Sequence, residues 1–356
     1  MFSLHTRSVR PMALFLIGIV AAVARPIELE DLFRFKRVSD PQLSPDGKTI
    51  AYVVTEVLKH QNTTQSDIWI VPAAGGEPRR LTSSPQHDRH PRWSPDGKWI
   101  AFESNRDGSF QIWVMPATGG GEARKLTNLS TEATQPVWSP TGDKLAFVSA
   151  IFPEFSAKPF SESDKLNKEK LAAREKSKVK ARVITQLLYR HWDSWVEDKR
   201  QHLFLLGLKD GVAVGEPRDV TPGENDAVPT SDTFSSGDEF AFSPDGKELA
   251  FTAPPVPTRE QAWSTNHDIW TVNLATGQRQ QVTTNPAADG HPRYSPDGKY
   301  LAYRAQARPG FEADRWQLHV RARNSGEDWS ATADLDSGIE SFDWAADSKS
   351  LVFTAQ

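Results

Sequence analysis

The chain has 356 residues, of which 38% are hydrophobic and 25% charged, and its formal net charge is −4. Such a balance suits one large or two ordinary soluble domains and lacks the basic surface that nucleic-acid binding requires. The absence of Cys excludes disulfides, thiolate metal sites and a Cys nucleophile.

At the N-terminus, Arg7 and Arg10 precede an apolar run from Met12 to Ala24 that closes on Ala22-Val23-Ala24. A basic start, a short apolar stretch and a small-x-small ending form a secretory signal. The run is shorter than the roughly 20 residues a membrane span takes. Residues 1–24 are therefore expected to be cleaved, leaving no membrane segment and placing the mature chain, 25–356, in a bacterial periplasm or outside the cell.

Beyond this segment a motif recurs. Ser44-Pro45-Asp46-Gly47-Lys48 returns as Ser94–Lys98, Ser243–Lys247 and Ser295–Lys299, with degraded copies at Ser139–Lys144 and Ala345–Lys349. Pro sets φ, Asp bonds its own backbone and Gly accepts positive φ, so each copy reads as a tight turn between two strands. A third strand follows: Asp67–Val71, Gln111–Met115 and Asp268–Val272. After a Gly-containing turn, such as Gly75-Gly76, Gly119-Gly120-Gly121 or Thr276-Gly277, a short fourth strand ends in Arg80-Leu81-Thr82, Lys125-Leu126-Thr127 or Gln281-Val282-Thr283. Four strands in about fifty residues make one blade of a β-propeller. Trp69, Trp113 and Trp270 recur at one register and read as blade packing. His90-Pro91-Arg92 and His291-Pro292-Arg293 also recur in register, so the run His87–His90 reads as structure, not as a metal site. No metal or cofactor is expected.

One interval between turns is double the others. Lys144–Val148 is a second strand, and its third-strand partner is His202–Leu206, so residues 152–200 form an insertion in blade three. Between Lys158 and Arg182 it holds nine basic and four acidic residues, with a helix over Asn167–Glu175. Tyr189–Arg200 then packs aromatics among charges outside the blade register. The expected fold is all-β: a propeller of about five complete four-stranded blades and a partial sixth, with a partly helical insertion in blade three. Only two strands of the sixth blade, Ser341–Trp344 and Ser350–Thr354, precede Gln356, which reads as an incomplete propeller.

The repeat, the insertion and the signal together resemble the propeller of the prolyl oligopeptidase family of serine peptidases, in its bacterial dipeptidyl-peptidase 5-like and acylaminoacyl-peptidase branch. The stretches that carry the resemblance are Ile27–Leu32 running into Val38–Lys48, Tyr189–Leu203, and Trp263–Trp270. The resemblance implies serine-dependent removal of dipeptides or blocked residues from peptide N-termini. It also implies an α/β-hydrolase domain after the propeller, absent from this chain, and it allows a homodimer of the intact enzyme. No Gly-x-Ser-x-Gly occurs here, so no catalytic residue is assigned and the chain alone is expected to be inactive. Ser264 and His267 read as loop residues. In dipeptide-releasing relatives an acidic propeller side chain pairs with the substrate α-ammonium. The candidate for that role is Glu197, with Trp192 and Trp195 as further substrate-binding residues. The competing reading is a TolB-like periplasmic protein-interaction propeller.

Overall fold

The recurrent turns are closed by one set of hydrogen bonds in the computed structural model, which describes residues 25–118, 121–192, 194–229 and 238–356. The expected signal segment and Gly119-Gly120 lie outside the described residues. In the second copy, Ser94 Oγ donates to Asp96 Oδ1 (2.7 Å) and accepts the Trp99 N–H (2.9 Å), while the same Asp96 oxygen accepts the Lys98 N–H (3.1 Å). The first, fourth and fifth copies repeat this geometry around Ser44, Ser243 and Ser295. In the degraded third copy, Asp143 takes over the acceptor role toward Ser139 Oγ (3.0 Å). In the sixth, Ser348 stands where Gly stands elsewhere, with a φ of 60°.

Around these turns the strands form blades. Blade one is β1 (Arg37–Leu43), β2 (Thr49–Leu58), β3 (Thr63–Pro72) and β4 (Arg79–Arg80). Blade two is β5 (Asp88–Trp93), β6 (Trp99–Ser104), β7 (Gln111–Pro116) and β8 (Arg124–Lys125). Blade three begins with β9 (Thr134–Trp138) and β10 (Lys144–Ile151). The insertion follows, with α1 (Phe160–Lys176) and the hairpin β11 (Arg190–His191) and β12 (Ser194–Trp195). The blade then resumes with β13 (Arg200–Lys209) and β14 (Val212–Asp219). Blade four is β15 (Phe240–Phe242), β16 (Glu248–Ala253), β17 (Asp268–Asn273) and β18 (Arg279–Gln281). Blade five is β19 (Asp289–Tyr294), β20 (Tyr300–Ala305), β21 (Gln317–Ala322) and β22 (Asp328–Ser330), and β23 (Ile339–Trp344) pairs with β24 (Leu351–Ala355). Among the described residues this gives five four-stranded antiparallel sheets and a two-stranded sixth, in the blade order the repeat implies. The pairing of β10 with β13 confirms that the insertion leaves blade three between its second and third strands. The helix is longer than its sequence core of Asn167–Glu175 suggests.

Blades pack by a small-against-large rule. The second strand of each four-stranded blade carries a large-Ala-aromatic triplet such as Ile100-Ala101-Phe102. Ile100 and Phe102 pack with Ala51 of blade one, while Ala101 packs with Leu145 and Phe147 of blade three. The same relation joins Ala146 to Leu249 and Phe251, and Ala250 to Leu301 and Tyr303. Alternation along a strand sends the two residue sizes to opposite faces, so every Ala makes room for its neighbour's bulk. Trp113 and Trp270 join these interblade clusters, as their register implies.

Hydrogen bonds stitch the same interfaces. The indoles of Trp93, Trp138 and Trp344 donate to the carbonyls of Gln42, Arg92 and Arg293 in the preceding blade (2.9–3.1 Å). The Thr that closes each fourth strand caps its own blade: Thr82, Thr127, Thr221, Thr283 and Thr332 accept third-strand N–H groups at 2.8–3.0 Å. Ser94 is only 2% exposed, so its loss leaves the Trp99 N–H without its acceptor. Ser94→Ala is expected to lower stability by about 1–2 kcal/mol with an unchanged denaturant slope in urea titrations.

Candidate functional site

The antiparallel meander puts the Ser-Pro-Asp-Gly-Lys turns on one face of the propeller and the second-to-third-strand loops on the other. The insertion grows from the second face. Its helix is anchored there by polar contacts: Asp164 accepts from Ser130 N and Oγ (2.8 Å each), and the buried Asn167 accepts the Phe152 N–H (2.9 Å). Phe160 packs edge-on against Phe204 of β13. The far end of the helix carries Lys170 and Arg174 over the Phe152 ring.

Beyond α1 the chain returns through an open cleft of about 660 Å³, lined by Arg174, Arg182, Tyr189, Trp195, Glu197 and Asp198 among others. The exposed Glu197 carboxylate lies between Arg182 (3.8 Å) and Arg174 (4.0 Å), and Asp198 takes a closer ion pair with Arg174. Arg182 lies 4.3 Å over the Trp195 ring, which sits 6.4 Å from Tyr189. Of the sequence candidates, Glu197 and Trp195 thus share one cleft. Trp192 does not line it. It occupies the tip of the β11–β12 hairpin at φ 49° and is 79% exposed. The loop residue His267 is instead buried in blade four, and burial pushes its pKa down to about 4. His191 of β11 interacts electrostatically with Glu312 and His267.

A second polar assembly lies on the propeller axis, where the first strands of the blades converge. Each of β1, β5, β9 and β19 carries a bulge, in which Asp40, His90, Gln135 and His291 adopt φ of 49–61° and are followed by Pro. Arg92 spans the axis. Its Nη1 donates to both Asp40 oxygens (2.9 Å) and its Nη2 to Asp238 (2.9 Å). Arg293 adds an ion pair to Asp238 (3.3 Å), and His90 stands 3.6 Å from Asp40. Burial raises the Asp238 pKa, but Arg92, Arg293 and His90 outweigh it and hold the carboxyl well below its usual range. Burial, reinforced by Arg92, pushes His90 down. His90 and Arg92 therefore act as structure on the axis, and among the described residues no group of three or more His, Asp or Glu is placed to hold a metal ion. The recurrence of His-Pro-Arg was a sequence signal for this assembly. Asp40 stands in the same register, followed by Pro and four residues before its turn, whereas Asp238 lacks the Pro and carried no such signal.

Comparison with known proteins places this geometry. Residues 61–201 match the model of the Tricorn protease N-terminal beta propeller domain. Dipeptidyl-peptidase 5 of Porphyromonas gingivalis is 32% identical over 321 residues, covering 90% of this chain and 44% of that protein. An acylaminoacyl peptidase of Pyrococcus horikoshii superposes over 91% of this chain and 43% of its own, with a TM-score of 0.61 at 15% identity. A protein described as TolB from Agrobacterium tumefaciens superposes over 83% of this chain and 80% of its own, with a TM-score of 0.50 at 17% identity. The two structural likenesses show the fold alone. The chain spans less than half the length of the dipeptidyl-peptidase it matches.

Arg92→Met leaves two carboxylates facing each other across the axis. It is expected to cost about 3 kcal/mol at pH 7 in chemical denaturation. A depressed carboxyl pKa stabilises the fold above the unfolded carboxylate range and loses that contribution as pH falls through the folded value. The gap between wild type and variant is therefore expected to narrow below about pH 4.

Proposed function

We propose that this chain, a propeller domain of the dipeptidyl-peptidase 5 and acylaminoacyl-peptidase kind, is the part of an exported serine exopeptidase that screens and orients peptides. The observation that carries the reading is the 32% identity to a dipeptidyl-peptidase 5 over 90% of the chain, which includes the insertion. Catalysis belongs to a hydrolase domain, and the propeller supplies recognition. The export step rests on Arg7, Arg10 and the Met12–Ala24 run.

Within this reading, Glu197 receives the α-ammonium of a substrate. A carboxylate suits that role because a charge-assisted hydrogen bond marks where a peptide begins. Glu197 is held by two arginines at the outer limit of ion pairing, so its oxygens stay accessible from the cleft. Trp195 forms the adjacent wall, and Trp192 meets the peptide from the hairpin tip.

The test uses the intact enzyme and two reporters, a dipeptidyl amide with a free N-terminus and its N-acylated counterpart. Glu197→Gln is expected to lower kcat/KM for the free-terminus reporter by about 10- to 100-fold, the value of a charge-assisted bond of about 1.5–3 kcal/mol. Turnover of the acylated reporter should hold. An unchanged ratio between the two reporters would remove Glu197 from this role. A TolB-like interaction propeller predicts no turnover of either reporter by the intact protein.

A further inference from the structure

A cavity of about 60 Å³ opens between blades four and five on the face that carries the insertion. Glu239, His267, Asp289, Arg304, Glu312 and Trp316 are among its lining residues. Asp289, at the start of β19, is 1% exposed. One of its oxygens accepts from Asn285 (2.9 Å), and its backbone N–H is tied to the His267 carbonyl (2.7 Å). Its second oxygen, Oδ2, is buried and has no hydrogen-bond partner among the described residues. A buried carboxylate with an unused acceptor is costly, and native structures rarely tolerate one without a ligand or water.

Among the described residues, three carboxyl groups, Glu239, Asp289 and Glu312, line the cavity with one guanidinium. That of Arg304 donates through Nη1 to the Glu340 carbonyl (2.7 Å), and its Cζ lies 5.0 Å from the centre of the Trp316 ring. His267 contributes no positive charge near neutral pH. The volume suits a group the size of one or two waters. The walls thus offer a buried carboxyl oxygen without a hydrogen-bond partner beside an aromatic side chain.

We propose that this cavity binds a compact ammonium group, with Asp289 Oδ2 as its acceptor. The site shares no residue with the Glu197 cleft and does not depend on the role assigned to Glu197. Burial pushes the Asp289 carboxyl up to about 7, with nearby Asp268 adding to the rise, and a bound cation relieves that penalty.

The ammonium could belong to a free amine or to the amino terminus of a peptide, and the experiment separates the two. The purified chain is titrated calorimetrically at constant ionic strength with methylammonium chloride, tetramethylammonium chloride, glycylglycine amide and its N-acetyl form. Methylammonium is expected to bind. Tetramethylammonium, which is bulky and has no N–H, and the acetylated peptide are expected not to. Asp289→Asn should weaken methylammonium binding at least tenfold. Peptide binding that disappears with Asp289→Asn assigns the peptide terminus, and binding of methylammonium alone assigns a free amine. Equal affinity in Asp289→Asn, or no binding of any amine, overturns the proposal. If peptide binding is lost in Glu197→Gln but kept in Asp289→Asn, the cavity takes no peptide terminus, and methylammonium binding that survives Asp289→Asn then overturns the proposal. Should Asp289→Asn fail to fold, Glu312→Gln at the exposed rim serves instead: a several-fold loss supports the site and an unchanged affinity rejects it.

Discussion

A single serine hydroxyl in four of the six turns does two jobs on which the propeller depends. It accepts the N–H five residues ahead and donates to the Asp two residues ahead, so the first and second strands can meet in one register only. Register then decides which face of the second strand shows Ala and which shows its bulky neighbours. The turns also touch one another. A Cβ on Gly97 would lie 3.8 Å from Pro45 of the preceding turn, and Gly142 stands in the same relation to Pro95 and Gly298 to Pro244. Gly is needed there for its positive φ, and its bareness lets the next blade sit close.

With the turns lined up on one face, the first strands converge on the axis, and their bulges aim polar side chains inward. Arg92 then reaches blade one and blade four at once. Neighbouring blades are joined by apolar packing, but blades one and four are not neighbours, and a charged tie is what links them. That tie is partly shielded from water, where ion pairs hold strongly and a missing partner is expensive. The opposite face carries no such ring of turns. A second-to-third-strand loop there can lengthen without disturbing register, and blade three has used that freedom for its helix and hairpin.

The two halves of the candidate cleft were unequally legible. Glu197 and Trp195 stood out because aromatics and charges interrupt the blade pattern at that point, and both line the cleft. Trp192 has the same local context but sits at the turn of a two-residue-strand hairpin, which throws it outward. Sequence spacing alone could not tell a tip residue from a wall residue, because strand pairing makes that difference. The arginines that flank Glu197 come from α1 and from the segment after it, and only folding the insertion back brings them together. The cavity was only partly legible: Asp289 recurs in register with Asp88, two residues before His-Pro-Arg, but Glu239 and Glu312 left no sequence trace.

Turns, strand order and the site of the insertion were written in the chain itself, because their determinants act within five residues or repeat at a fixed period. The exchange of Ala for bulk across each blade interface was implicit in the same repeat, through the period-two alternation of strands. The axial ion cluster and the cavity were decided by tertiary structure. Arg92 and its partners are separated by 52 and 146 residues, and only closure of the blades around the axis brings such charges within hydrogen-bond reach. The Ser-Pro-Asp-Gly-Lys turn thus specifies a blade, while the arrangement of blades determines what the axis and the faces can bind.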